Sequence, residues 1–148
     1  MTVTLTRQND DYLFHAAGPN QHKVVMDFSK ESAPQGASPM ELLLMAIGGC
    51  NAIDIIYVLK KQRQNVTSYT VKVTGERAAV QKANPFKSAL VEIYLEGEIV
   101  PAKALRAASL SFEQYCSVSM TLRGSMAIDY AVYVNGTKVD YTMQSNGG

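Results

Sequence analysis

Cysteine and histidine are scarce in this sequence of 148 residues. The two cysteines, Cys50 and Cys116, stand 66 positions apart, a spacing that fits neither a disulfide framework nor a zinc-binding motif. The two histidines, His15 and His22, both lie near the N-terminus, so a cluster of cysteine and histidine ligands would be hard to assemble. We therefore expect no metal site.

An excess of charge of either sign is also missing. The chain has 14 lysines and arginines against 13 aspartates and glutamates, for a formal net charge of +1. The basic residues are scattered, whereas proteins that bind nucleic acids or anionic membranes carry clustered basic charge. We expect no nucleic-acid partner and no membrane partner.

The sequence also lacks the pattern of a signal peptide. Residues 1–12 are rich in threonine and acidic residues, where a signal peptide has a basic segment followed by an apolar block. The most apolar stretch, residues 42–59, contains Asn51 and Asp54. A charge at the middle of a membrane span costs about 2.5–3.5 kcal/mol, so this stretch is a poor span. We expect a soluble, cytoplasmic protein.

Short apolar runs predict strands in three parts of the chain. The first thirty residues contain three β-type runs separated by turn-rich residues, which predicts a three-strand meander. Residues 69–74 and 91–96 alternate apolar and polar side chains, as half-buried strands do. Asn135 and Gly136 lie between two further alternating runs, which predicts a hairpin with a type I′ turn.

Two helices are predicted between these strands. The first runs from Pro39 to about Gln64, and the second begins at Pro101 and ends at Gly124. The order of elements predicts an α+β fold, with an antiparallel sheet and two long helices. The length predicts a single domain over residues 1–148, with residues 144–148 as a disordered tail.

The first helix has a well-defined start and an apolar surface. Ser38 is a suitable N-cap, Pro39 a good first helical residue, and Glu41 is favourable in the first turn. Apolar side chains cover most of the helix circumference as far as Ile56, so nearly all of it should be buried. A chain this small can hardly cover both faces, and we infer that a second subunit covers part of the helix.

Cys50 lies in the middle of this helix, after two glycines. Gly48 and Gly49 each cost about 1 kcal/mol relative to alanine in a helix interior. They allow either a packed backbone or a small ligand to come close to the sulfur, and Cys50 is accordingly either a buried small hydrophobe or a reactive thiol. Asp54, one turn later, would raise the pKa of that thiol, so a reactive Cys50 would need a cation or hydrogen-bond donors from elsewhere.

Cys116 and Glu41 each have two interpretations. If the second helix breaks near Gln114, Cys116 begins a new helix, where free amides lower a thiol pKa. If the helix is unbroken, Cys116 shares a face with Phe112 and the residues one turn later. Glu41 precedes Cys50 by nine residues and lies on roughly the opposite face, so it is either a helix-terminus charge or a group that reaches Cys50 across a dimer.

Two motifs carry a family resemblance. Residues 38–50, SPMELLLMAIGGC, together with YCSVS at residues 115–119, resemble the OsmC/Ohr family of thiol peroxidases. The resemblance covers residues 1–134 and is nearest to the YhfA-like branch, in which an S-P-x-E start and a G-G-C centre occur together. It implies an OsmC-like fold and an intertwined homodimer with the central helices at the interface.

The resemblance also implies a chemistry. Cys50 matches the peroxidatic thiol, which attacks an organic hydroperoxide, and Cys116 matches the resolving thiol. Such a protein acts in oxidative-stress defence. An external dithiol of the lipoyl type restores its thiols, and it uses no cofactor. Glu41 is a third candidate catalytic residue. The alternative hypothesis is a redox-sensing or small-ligand-binding dimer without fast peroxidase turnover. A third hypothesis is a structural dimer with inert buried thiols. The candidate substrate-pocket residues are Leu43, Leu44, Ile47, Gly48 and Gly49.

Overall fold

The computed structural model describes residues 1–140, which form two compact units. The first unit comprises Met1–Leu43, and the second begins at Leu44. The predicted tail at residues 144–148 lies outside the described residues.

The first unit is built on three short antiparallel strands. They are β1 (Thr4–Arg7), β2 (Phe14–Ala17) and β3 (Lys23–Met26), in the order β1-β2-β3. Each strand pairs with the next one along the chain, as in a meander. The meander predicted from the sequence is confirmed.

The first long helix, α1 (Pro39–Lys61), begins with a reciprocal capping box. The Ser38 N–H donates to Glu41 Oε2 at 2.7 Å, and the Glu41 N–H donates to Ser38 Oγ at 3.3 Å. Hydrogen bonds from the backbone N–H and the side chain of Ser38 to the carboxylate lower the pKa of Glu41, because they stabilise its charged form. The predicted N-cap is confirmed, and Glu41 acts as a helix-terminus charge.

In the second unit, the buried face of α1 packs on two long antiparallel strands, β4 (Asn65–Arg77) and β5 (Phe86–Glu98). The predicted alternation is observed, since Val91, Ile93 and Leu95 of β5 are almost completely buried. The core of this unit therefore lies between the sheet and the helices.

The sheet of the second unit has four strands in the order β4-β5-β6-β7. The α+β fold with antiparallel pairing is confirmed, except that strand β6 (Ala127–Val134) runs parallel to β5. The physical reason is that the helices between β5 and β6 return the chain to the end of the sheet where β5 began. Asn135 and Gly136 both have positive φ, 49° and 81°, and connect β6 to β7 (Thr137–Lys138), which confirms the type I′ turn.

The second predicted helix is broken into three pieces. Helix α2 (Pro101–Leu110) is followed by a π-helical turn (Ser111–Tyr115) and then by helix α3 (Ser117–Leu122). Cys116 has an extended conformation between the last two pieces and is the N-cap of α3. The prediction of two long helices is therefore wrong for the second, and the alternative with a break near Gln114 is confirmed.

The second unit buries only one face of α1. The opposite face is apolar and exposed, with relative exposures of 57% for Met45, 69% for Ile53 and 56% for Tyr57. Within residues 1–140, α1 alone is long and apolar enough to cross a membrane, and about a third of its most apolar stretch is buried inside the chain. In the single chain, the apolar surface that the sequence predicts to be covered is therefore exposed to solvent.

Candidate functional site: a two-cysteine centre

The fold brings the two cysteines together. Cys50 Sγ, Cys116 Sγ and a carboxylate oxygen of Asp54 all lie within 4.8 Å of one another. Cys50 and Asp54 lie one turn apart on α1, and Cys116 comes from the break between the π-helical turn and α3. A pair that is distant in the sequence is therefore a single site in the structure.

The two glycines before Cys50 have different surroundings. A Cβ atom on Gly48 would lie 2.7 Å from Val73 Cγ2, so this glycine allows α1 to pack closely on β4. A Cβ on Gly49 would meet no atom of the described residues within 4 Å, and Gly49 is exposed. Close packing thus explains Gly48, while Gly49 leaves the surface next to Cys50 open.

The two thiols differ in exposure. Cys50 is partly exposed, whereas Cys116 has no exposed surface. The sulfur of Cys116 accepts a hydrogen bond from the Ser119 N–H at 3.3 Å, which is the capping bond of α3. A molecule that arrives from solvent would therefore meet Cys50 first.

Burial is the main cause that raises the pKa of the Cys50 thiol above its ordinary value. A hydrogen bond from the backbone N–H of Val118 opposes this rise, while the neighbouring Cys116 and the negative charge of Asp54 add to it. The effect predicted for Asp54 is confirmed. Among the described residues, the groups that act on this pKa include no lysine or arginine.

A buried polar network supports the site. The fully buried Asn51 donates from Nδ2 to the Ile47 carbonyl at 2.8 Å and to Ser119 Oγ at 3.1 Å. Ser111 Oγ donates to Asn51 Oδ1 at 2.8 Å and lies 3.2 Å from Asp54 Oδ2, within hydrogen-bond reach. The network joins α1, the π-helical turn and α3 around the two sulfurs.

Sequence reasoning missed Ser111 and Ser119. Both serines are buried, and both bind Asn51. The available signal was Asn51 itself, because a polar side chain inside an apolar helix needs buried partners. Ser111, between the apolar residues Leu110 and Phe112, was a candidate for such a partner.

The other predicted site residues are placed as follows. Ile47 is fully buried in the core, Leu44 packs against that core, and Gly48 is buried against β4. Leu43 is partly buried and belongs to the first unit, whereas Gly49 is exposed. The role of these five residues in a substrate pocket stays a prediction.

Arg7 is the only arginine that precedes α1. Its guanidinium binds the backbone carbonyls of the β1–β2 loop, with Nε donating to the Asp11 oxygen at 3.0 Å and Nη2 donating to the Asp10 oxygen. In the first unit, Arg7 therefore stabilises a turn.

Comparisons with known proteins agree on one family. The model of the family described as OsmC-like protein matches residues 30–131. Protein YhfA of Escherichia coli (strain K12) is 37% identical over 114 residues, which cover 76% of this chain and 83% of that protein.

Solved structures share the fold over nearly the whole chain. An OsmC-like protein from Mycoplasma pneumoniae has a TM-score of 0.76 at 17% identity, covering 90% of this chain and 95% of that one. An organic hydroperoxide resistance protein OsmC from Legionella pneumophila has a TM-score of 0.65 at 17% identity, covering 90% and 98%. At these identities, the likeness shows a common fold.

Proposed function

Because this chain belongs to the OsmC-like family and is 37% identical to protein YhfA over 114 residues, we propose that it reduces organic hydroperoxides through Cys50 as peroxidatic and Cys116 as resolving thiol. The name of the Legionella pneumophila neighbour, an organic hydroperoxide resistance protein, supports this substrate class. The observation that carries the proposal is the separation of at most 4.8 Å between the two sulfur atoms.

The first step is the oxidation of Cys50. Its thiolate attacks one oxygen of the hydroperoxide, so an S–O bond forms and the O–O bond breaks. The leaving alkoxide takes a proton and departs as the alcohol, and Cys50 becomes a sulfenic acid. Partial exposure of Cys50 suits this step, because the oxidant arrives from solvent.

The second step uses Cys116. Its sulfur attacks the Cys50 sulfur, an S–S bond forms, the S–O bond breaks, and water leaves with the thiol proton. The two thiols have then supplied the two electrons that reduce the peroxide. The two sulfurs must move from a separation of 4.8 Å or less to a bond length of about 2.05 Å. We expect the backbone to move at Cys116, because the helix is interrupted there.

Recycling requires a reductant from outside the chain. An external dithiol of the lipoyl type would attack the disulfide and return both thiols by exchange, without any bound cofactor. We place this cycle in the cytoplasm, as part of oxidative-stress defence.

The proposal includes an intertwined homodimer with the α1 helices at its interface. Its support is the exposed apolar face of α1, formed by Met45, Ile53 and Tyr57. A contiguous apolar surface of this kind is typical of interfaces between subunits.

The experiment is a hydroperoxide-consumption assay with cumene hydroperoxide and dihydrolipoamide. Wild type should turn over and Cys50→Ser should be inactive. Cys116→Ser should turn over more slowly than wild type, because the dithiol must then reduce the Cys50 sulfenic acid directly. Equal rates for wild type and Cys50→Ser would refute the proposal. Circular dichroism of each variant checks that loss of activity is not loss of fold.

One observation favours a second function, a redox sensor or small-ligand-binding dimer without fast turnover. The pKa of Cys50 is raised, mainly by burial, so little of the reactive thiolate is present at neutral pH. The rate of peroxide reduction at pH 7 separates the two functions. Stoichiometric oxidation over minutes without turnover would favour the sensor, and no reaction of either thiol before unfolding would favour a structural dimer.

A further inference from the structure

We propose that the reduced site also binds a thiophilic divalent cation of the Zn²⁺ type, through Cys50 Sγ, Cys116 Sγ and an Asp54 carboxylate oxygen. These three atoms lie within 4.8 Å of one another. Thiolate and carboxylate are common Zn²⁺ ligands, and a site with three protein ligands keeps a position open for water. The proposal does not depend on the peroxidase function.

The structure changes the reasons for which the sequence predicted no metal site. That expectation rested on the long spacing between the cysteines and on the distant histidines. The structure closes the spacing and adds a carboxylate, which the sequence argument did not consider as a third ligand.

The distances suit a tetrahedral ion after a small adjustment. With Zn–S bonds of about 2.3 Å and Zn–O bonds of about 2.0–2.2 Å, neighbouring ligand atoms lie about 3.5–3.8 Å apart. Each pair of these atoms, at most 4.8 Å apart, therefore needs to approach by no more than about 1.3 Å. Because Cys50 is partly exposed, an ion can reach its sulfur from solvent.

Neighbouring polar groups contact two of the three ligands. Ser111 Oγ lies 3.2 Å from Asp54 Oδ2, and the Ser119 N–H donates to Cys116 Sγ at 3.3 Å. Such contacts orient metal ligands in known sites, and their loss typically lowers metal affinity by about 10–100-fold.

Electrostatics favour a cation at this position. Two thiolates and a carboxylate would place three negative charges together, and none of the described groups that act on Cys50 is a lysine or arginine. A divalent ion relieves this repulsion, and on binding the two thiols release their protons to solvent.

Metal binding and disulfide formation exclude each other, because they use the same two sulfurs. If the proposed peroxidase chemistry operates on the loaded site, one hydroperoxide and two protons give the disulfide, the alcohol, water and the free cation. This consequence rests on the proposed function, whereas binding itself does not.

The test is a Zn²⁺ titration of the full-length reduced protein under anaerobic conditions, in competition with a chromophoric chelator. We expect one Zn²⁺ per chain in wild type, and affinity lower by at least about tenfold in Asp54→Asn and in Cys116→Ser. The matched control is Asp129→Asn, which changes an exposed acid on β6 and should bind as wild type does. Co²⁺ should give the sulfur-to-metal charge-transfer band of thiolate ligation.

Two results would overturn the proposal: absence of stoichiometric binding to the reduced protein, or equal affinity in wild type and Asp54→Asn. Asparagine has nearly the same size as aspartate and keeps an oxygen near Ser111 Oγ, and circular dichroism checks that the variant is folded. A second experiment needs no substitution. Diamide oxidises Cys50 and Cys116 to the disulfide whether or not the protein is a peroxidase. Oxidised protein should lose the site, and undiminished binding there would also contradict the proposal.

Discussion

At the residue scale, the chemistry of the site depends on how easily Cys50 loses its proton. Burial raises its pKa, and one N–H donor from Val118 acts in the opposite direction. Asp54 contributes the smallest part of the rise. The thiol is therefore reachable but weakly ionised near neutral pH.

We expect the alkylation rate of Cys50 by iodoacetamide to increase with pH without a plateau at or below about pH 8.5, the ordinary cysteine pKa. The reason is that only the thiolate reacts, and its fraction grows about tenfold per pH unit below the pKa. Asp54→Asn should lower the pKa and modestly speed alkylation at pH 7, because it removes a nearby negative charge. A plateau below pH 7.5 in wild type, or slower reaction in Asp54→Asn, would contradict this account.

The sequence predicted part of this chemistry. Asp54 follows Cys50 by one turn, and local helix geometry was enough to predict its effect on the thiol. The proximity of Cys116 came only from the family resemblance, because helix periodicity relates residues a turn apart and not residues in separate elements. Ser111 and Ser119 depend on the same long-range packing, which explains why they were missed.

At the element scale, the packing of α1 on β4 determines where Cys50 lies. Gly48 permits the close approach of the helix to Val73, and the neighbouring Gly49 has open space beside it. The two glycines form a matched pair, since they are adjacent in one helix and differ in their surroundings.

We expect Gly48→Ala to lower the free energy of unfolding by up to about 2 kcal/mol, because overpacking costs about 1–3 kcal/mol and alanine regains about 1 in helix propensity. Gly49→Ala should leave stability unchanged or raise it by up to about 1 kcal/mol. Urea denaturation at fixed protein concentration measures both. A Gly48→Ala protein as stable as Gly49→Ala would contradict the packing argument.

Element types were predictable where periodicity is strong, and their connections were not. Alternation predicted β4 and β5, and the Asn135-Gly136 pair predicted the last hairpin. The parallel pairing of β5 with β6 depends on where the intervening helices return the chain, which a local pattern does not contain. Local patterns left a continuous second helix and a break near Gln114 as equal alternatives, and the structure has the π-helical turn there.

At the scale of the whole molecule, the apolar face of α1 is the feature that the single chain leaves unexplained. A helix hydrophobic nearly all round was predicted to be buried nearly all round, and the second unit buries one face. The proposed homodimer would cover Met45, Ile53 and Tyr57.

We expect wild type to sediment as a dimer and Ile53→Glu to shift the protein to the monomer, because a charge would be buried in an apolar interface. Lys103→Glu, at an exposed position on α2, is the matched control and should remain dimeric. Sedimentation velocity measures the masses. A monomeric wild type, or a dimeric Ile53→Glu, would remove the α1 interface from the proposal.

The central claim is that two thiols distant in the sequence act as one redox unit. Its most direct test is a peptide map of the reduced protein after one equivalent of cumene hydroperoxide, with intact mass before and after. The account predicts a loss of two hydrogens and a single disulfide between Cys50 and Cys116. Overoxidised Cys50 beside an unmodified Cys116, or a disulfide only between chains, would contradict it.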